Sequence, residues 1–367
     1  MKAVPGEGRP MEHSRLNGHD PKHKHTAQVK QVKTDDLIVI TGAGGFIGHH
    51  LVKRLRADGY WVRGADLKLP EYETTDANEF ELLDLRKFDN CLLATRGGIE
   101  IVYTLAADMG GIGFITANHA DIARNNILIN VHMLEASRLQ NVSRLLFSSS
   151  ACIYPQSKQE DADVTPLREE DAFPADPEPG YGWEKLYTEM LCRYFRQDYP
   201  LDTKIVRFHN VYGPLGTYEG GREKAPAAIS RKVALTGDGE TIEVWGDGEQ
   251  TRSFMYIDDC VEGLLRLMAS DFPGPLNLGT DRLISINGLV DLISDIAGKH
   301  LVKKHDTSKP QGVRGRNSDN RLLRQVLGWE PVISLEQGLA VTYAWIEHEL
   351  ETAGRLSKKA LAVRSNA

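Results

Sequence analysis

The stretch Leu37-Ile-Val-Ile-Thr-Gly-Ala-Gly-Gly-Phe-Ile-Gly48 decides how the rest of the chain is read. Its first four residues are apolar at every position, the pattern of a strand buried on both faces of a parallel sheet. Gly42, Gly45 and Gly48 follow in GxxGxxG spacing, and helical periodicity runs from Phe46 to Ala57, with a stop signal at Gly59. Such spacing is weak by itself. Between a buried strand and a helix it has the context that a dinucleotide pyrophosphate requires. Glycines permit the tight turn and the close approach of backbone to phosphate, and the helix start offers free N–H groups and a positive dipole end. Gly42, Gly45, Phe46, Ile47 and Gly48 are therefore the expected cofactor contacts in this segment.

Working outward, residues 60–65 read as a second strand with Asp66 at its end, 18 residues after Gly48. A carboxylate there accepts hydrogen bonds from the adenosine ribose and repels a 2′-phosphate, which favours NAD over NADP; Lys68 nearby softens that preference. Asp84 is read either as a contact to the adenine edge or as a helix cap. Residues 99–105 and 144–149 are further strands, and residues 118–139 and 183–199 have helical spacing. Leu105 and Ala106, at the end of one strand, face the expected cofactor. Strands alternating with helices imply an α/β fold: a Rossmann-type doubly wound parallel sheet with a smaller C-terminal α/β substrate-binding lobe. The expected division is a disordered tail at 1–34, the NAD-binding part at 35–210 with later segments crossing back, a lobe at 211–350 and a frayed end at 351–367. After Asn210, glycine and proline signals suggest that loops dominate, with helices near 258–270 and 286–297 and a strand at 276–278.

Composition excludes several classes. Apolar residues make up 41% and charged residues 26%, as in ordinary globular proteins. A net charge of −7 disfavours nucleic acid as a partner. No apolar run approaches the ~20 residues of a membrane span, and the polar start lacks the apolar core of a signal peptide. Cys91, Cys152, Cys192 and Cys260 form no CxxC pair, so reduced thiols in the cytoplasm are expected, with neither disulfide nor metal site. His13, His19, His23 and His25 are read as part of a solvated tail.

Chemistry gathers further on. Tyr181 and Lys185, in Tyr-Gly-Trp-Glu-Lys, share one helical face, where the lysine cation is expected to lower the phenol pKa. Upstream, Phe147-Ser-Ser-Ser-Ala-Cys-Ile-Tyr-Pro155 places serines at the end of a parallel strand, where open α/β sheets bind ligands. The glycine loop, Ser150, Tyr181 and Lys185 together resemble the Ser-Tyr-Lys arrangement of the extended short-chain dehydrogenases, and Arg207-Phe-His-Asn-Val-Tyr-Gly-Pro214 resembles their segment lining the sugar nucleotide.

A narrower resemblance, over roughly residues 36–350, is to the GDP-mannose 3,5-epimerase family. It rests on Met109-Gly-Gly-Ile-Gly-Phe114, Ser150-Ala-Cys-Ile-Tyr-Pro155, Gly220-Gly-Arg-Glu-Lys-Ala-Pro-Ala-Ala228, Gln250-Thr-Arg-Ser253 and Gly312-Val-Arg-Gly-Arg-Asn-Ser-Asp319. Gly180-Tyr-Gly-Trp183 departs from the typical surroundings of the tyrosine. The resemblance implies tightly bound NAD, a GDP-sugar substrate and a homodimer built on helices 118–139 and 183–199. It assigns Tyr181 as base for the C4 hydroxyl, Lys185 as its partner and ribose contact, Ser150 as a hydrogen bond to the C4 oxygen, and Cys152 with Lys224 as proton acceptor and donor. Arg252 and Arg314 are the expected diphosphate donors, helped by Lys232 and Arg316, with Asn210 on a phosphate or sugar oxygen. Gly110, Ala151, Glu223, Ala225, Gln250 and Thr251 complete the expected substrate contacts, and Trp245 is either core or near the nucleotide.

Neighbouring activities fit less well. GDP-fucose synthases share the Ser-x-Cys-Ile-Tyr-Pro stretch but use NADPH and place histidine at the Lys224 position. A 4,6-dehydratase requires an acidic pair where Ala151 and Cys152 stand. A simple 4-epimerase needs no thiol–amine pair, and a non-catalytic NAD-binding regulator would not need Tyr181 or Lys185.

Overall fold

The computed structural model describes residues 36–356; the expected tail at 1–34, with its four histidines, and residues 357–367 lie outside the described residues. Six strands come first: β1 (Leu37–Thr41), β2 (Trp61–Asp66), β3 (Glu79–Leu82), β4 (Ile101–Thr104), β5 (Arg144–Ser150) and β6 (Asp202–Phe208). Shorter ones follow: β7 (Asn210–Tyr212), β8 (Thr241–Trp245), β9 (Thr251–Arg252), β10 (Phe254–Tyr256), β11 (Leu276–Leu278), β12 (Ile284–Ser285), β13 (Val302–Asp306) and β14 (Gly315–Arg316). The helices are α1 (Phe46–Ala57), α2 (Phe88–Thr95), α3 (Ile112–Ala117), α4 (His119–Leu139), α5 (Tyr181–Asp198), α6 (Ala225–Leu235), α7 (Ile257–Ala269), α8 (Ile286–Ile296), α9 (Arg321–Leu327) and α10 (Leu335–Thr352).

The large sheet has the order β11-β6-β5-β4-β1-β2-β3, with every neighbouring pair parallel. Strand order reverses between β1 and β4, so the loops leaving them diverge and open a crevice at the carboxyl ends. β1 explains its own apolar run. Val39 packs with Ile129, Met133 and Cys192 on one face, while Ile38 and Ile40 pack with Leu51, Leu55 and Leu264 on the other. β11 and α7 lie beyond residue 210, yet β11 pairs with β6 and α7 shares a core with α1. The later chain thus crosses back to complete the nucleotide-binding half. The smaller lobe gathers α6, α8, α10 and the pairs β8–β13 and β9–β14.

Three boundaries differ from expectation for local reasons. α5 starts at Tyr181, two residues earlier than its periodicity suggests, because Gly180 (φ 72, ψ −80) turns the chain abruptly into the helix. Residues 225–235 form α6 where breaker residues suggested a loop; Pro226 sits in the first turn, where no N–H is needed. α10 continues through Thr352, past the expected end of order at 350.

One buried ion pair ties β5, α5 and β6 together under the site. Arg207 is 1% exposed and Glu189 2%. Arg207 donates through Nη2 and Nε to Glu189 Oε2 and Oε1, at 2.7 and 2.9 Å, and Ser149 Oγ donates to the same carboxylate. Nη1 reaches Tyr154 Oη (3.1 Å) and Glu169 O (2.8 Å), so four of the five guanidinium N–H groups are bonded. Removing one partner strands the other without water. Glu189→Ala is expected to cost about 3–5 kcal/mol in urea unfolding, whereas Glu189→Leu combined with Arg207→Met recovers most of it.

Candidate active site

Gly42, with φ 73, packs its α-carbon on the next strand end: an added Cβ would lie 2.7 Å from Ala106 N. At Gly48 it would lie 2.1 Å from Gly42 O, so only glycine lets the first turn of α1 close on the β1 loop. The first i→i−4 bond of α1 runs from His49 N to Gly45 O, and its N-cap Gly45 brings no side chain. The amides of Phe46, Ile47 and Gly48 thus precede the helical bonding ladder and face the crevice. Asp66, at the end of β2, accepts from Gly44 N (2.9 Å) and from Leu67 N and Lys68 N. Burial pushes its carboxyl up, and those three N–H groups pull the other way. Asp84 forms a forked pair with Arg86, which holds its carboxyl below the usual range. This cradle fits NAD: bare glycine backbone and free amides for a pyrophosphate, and a carboxylate for a ribose.

A single cleft of about 1230 Å³ continues from this cradle to the small lobe. Every residue assigned from sequence lines it except Thr251 and Arg314. Thr251 turns its hydroxyl to Ala162 O, and Arg314 grips Asp247 through Nη1 at 2.8 and 2.9 Å. Arg316, two residues on, is the one aimed inward.

Ser150 ends β5, and its Oγ accepts the Cys152 amide (3.2 Å), capping a short 3₁₀ turn that points the thiol at the cleft. Tyr181 opens α5, and Lys185 lies one turn on, 4.9 Å from the Phe147 ring centroid and 5.5 Å from that of Tyr181. Lys185 is held by the Glu184 carboxylate at 3.7 Å, which Asn126 and Asn130 of α4 also bind. The expected lowering of the phenol does not come from these side chains alone. Burial pushes Tyr181 well up, the Cys152 thiolate, Glu184 and Glu178 push the same way, and the Ser150 hydroxyl opposes them.

Cys152 is 9% exposed, and burial pushes its thiol up while the Arg316 guanidinium, 3.4 Å from Sγ, pulls it down. Lys224 is the N-cap of α6, where burial lowers its ammonium and a Cys152 thiolate would raise it. Lys224 and Cys152 line the same cleft. Arg222 fastens this loop to the other lobe, with its guanidinium 3.9 Å from the Phe114 ring centroid and Nη1 on Asp108 Oδ1 (3.2 Å). Arg252 is lowered to about 9 by burial and by Arg316 beside it, the signature of a cation short of an anion. Lys232 donates to Glu243 O (2.9 Å), Asn210 to Ser253 O (3.0 Å), and Gln250 Nε2 to Trp245 O (3.2 Å), leaving Gln250 Oε1 buried without a partner. Glu223 caps Gly221 N (2.7 Å). Trp245 lines the cleft and is 41% exposed, so it is not a core residue.

Sequence reasoning did not single out three residues here. His209 faces the cleft with both ring nitrogens unpartnered and is lowered to about 3 by burial, so it is a neutral imidazole. Gln159 holds Arg316, and Glu178 bonds its amide to Cys152 O (3.0 Å). His209 sat in a quoted motif; the other two carry no local signal.

These features define a class: a dinucleotide-dependent enzyme acting on a bulky polar substrate held between two lobes. The profile of the NAD dependent epimerase/dehydratase family matches residues 38–279, and the chain belongs to that family. Within it, the chain is 50% identical over 316 residues to GDP-mannose 3,5-epimerase 1 of Oryza sativa subsp. japonica, covering 86% of this chain and 82% of that protein. It is 49% identical to GDP-mannose 3,5-epimerase of Arabidopsis thaliana, covering 86% and 83%. Among solved structures, UDP-glucose 4-epimerase of Thermotoga maritima with UDP-glucose superposes with a TM-score of 0.76 at 28% identity, covering 86% of this chain and 99% of that one.

Asp66→Asn is expected to weaken NAD binding about tenfold, by loss of a charged hydrogen bond, and to narrow the preference over NADP. Titration calorimetry on cofactor-stripped protein measures both. An unchanged NAD/NADP ratio would remove Asp66 from the ribose.

Proposed function

We propose that the chain is a GDP-mannose 3,5-epimerase, interconverting GDP-D-mannose with GDP-L-galactose, GDP-L-gulose or both. The observation that carries this is the thiol–amine pair: Cys152 and Lys224 line the same cleft as Ser150, Tyr181 and Lys185, and a Cys152 thiolate would raise the Lys224 ammonium. The 3,5-epimerase relatives support the same reading.

NAD bound in the cradle supplies a reversible hydride acceptor for C4 of the sugar. The protein's own groups do the rest. In its ionised form, which the positive nicotinamide ring of bound NAD would favour against burial, Tyr181 Oη takes the C4 hydroxyl proton while Ser150 Oγ holds the C4 oxygen. Beside a C4 carbonyl, the protons on C3 and C5 become acidic because the electron pair left behind spreads onto oxygen. Cys152 Sγ accepts such a proton on one face, and Lys224 Nζ delivers one on the other. Burial suits Lys224 to this by lowering its ammonium toward neutrality. Arg252, with Arg316 beside it, takes the diphosphate; its buried, charge-crowded guanidinium gains most from an anion. Residues 211–350 serve mainly as the nucleotide-sugar lobe.

We place the homodimer interface on α4 and α5, where Leu128, Trp183, Tyr187 and Tyr194 are exposed. Four free cysteines fit a cytoplasmic location. Among the described residues, no helix is long and apolar enough to cross a membrane.

Incubating the full chain with GDP-mannose in deuterated water tests the reaction. Deuterium is expected at C3 and C5 without added reductant. Cys152→Ala, Lys224→Met and Tyr181→Phe, each retaining NAD, are expected to slow exchange by about 10²–10⁴-fold. Absence of exchange, with NADPH oxidised on a 4-keto-6-deoxy sugar, would point instead to an epimerase-reductase.

A further inference from the structure

An unpaired guanidinium stands against the thiol. Arg316 is 9% exposed, and among the described residues no carboxylate forms an ion pair with it. Its Nη1 lies 3.4 Å from Cys152 Sγ, and its Nε donates to Gln159 Oε1. Gln159 is 1% exposed, and its Nε2 donates to Tyr154 O and Pro155 O, both at 3.1 Å. With the amide nitrogen committed, the amide oxygen is fixed toward Arg316. The backbone fixes the other end: Arg314 N and Gly315 N donate to Gln159 O at 2.9 and 3.2 Å, and Ser253 N donates to Arg316 O at 3.0 Å. Gly315 admits this closeness, since an added Cβ would stand 2.2 Å from Asp161 O. Arg314 differs in kind, because its charge is met by Asp247. Gln159 orients Arg316 without neutralising it, so the full charge is available to sulfur.

Other charges reach Cys152 from every side. Glu178, before α5, opposes the thiolate, and Tyr181 lies on α5 itself. Arg252 on β9 and Lys224 at the start of α6 each gain when the sulfur is negative. Arg316 is the largest influence favouring the thiolate against burial, and its guanidinium lies directly against the sulfur.

We propose that Arg316, aimed by Gln159, is the positioning residue that favours the thiolate of Cys152 against burial, so that the sulfur can accept a ring proton. The inference rests on the epimerase reading for the proton's origin. The ring C–H bond breaks, its electron pair passes to the neighbouring carbonyl oxygen, and an S–H bond forms. The Lys224 ammonium returns a proton to the ring, so the protein's proton count is unchanged over the exchange.

Alkylation of the full-length protein by iodoacetamide between pH 6 and 10, with the Cys152 peptide quantified by mass spectrometry, tests this. Arg316→Met is expected to slow Cys152 labelling about tenfold at pH 8 and move the profile about one unit higher, a tenfold change in thiolate being one unit. Arg316→Lys is expected to keep most of the wild-type profile. Gln159→Leu, which leaves the cation but frees it, is expected to shift it partway and serves if Arg316→Met does not fold. A wild-type profile in folded Arg316→Met or in Gln159→Leu overturns the proposal, including the case where only GDP binding is lost. Labelling needs no turnover. A shifted profile in a protein that shows no deuterium exchange therefore sinks the epimerase reading and leaves the thiolate assignment standing.

Discussion

Burial pushes Tyr181 and Cys152 up and Lys224 and Arg252 down, so four groups of one cleft all lean toward their neutral forms. Taking charge out of water costs free energy in either direction, acid or base. The same bias makes a cation beside sulfur, or an anion beside Arg252, more effective than it would be at the surface. Most of the local architecture can be understood as managing this cost. Where charge serves structure, it is met in full, as with Arg207 and Glu189 or Glu184 with Asn126 and Asn130. Toward the cleft it is left partly unmet, as with Arg316 and Arg252.

The sheet supplies the geometry for this. β1 and β4 part at the topological switch, and β5 ends at Ser150 on the same edge. α5 leaves Gly180 so abruptly that its first residue, Tyr181, already stands at the cleft, one turn before Lys185. The small lobe contributes Lys224 by starting α6 there, and Arg222 pins that start to the loop before α3. Thiol and amine come from opposite lobes, so their spacing depends on how the lobes meet rather than on either alone.

The superposition on UDP-glucose 4-epimerase of Thermotoga maritima covers nearly all of that chain, which shows how much of the framework is shared. In this chain Ser150 stands at the end of β5, and Tyr181 and Lys185 in the first turns of α5. Cys152, Arg316 and Lys224 sit on the short turn, edge strand and helix cap around it. Elements of this kind can change with little disturbance to the core, which is how one scaffold carries different sugar chemistries.

The periodicity of residues 37–57 and the glycines at 42, 45 and 48 determined the parallel sheet and its cofactor end, because strand burial and backbone clearance are local properties. The YxxxK spacing likewise placed Tyr181 and Lys185 together, since four residues make one helical turn. α6 was hidden because Pro226 is a breaker in mid-helix and a starter in the first turn, and only the fold says which. Two arginines two residues apart, Arg314 and Arg316, look alike in sequence. In the fold one meets Asp247 and the other Cys152, 164 residues away in the chain. The direction of the tyrosine shift was also beyond sequence, because desolvation and the nearby Cys152 and Glu184 are sums over neighbours that only the folded chain assembles.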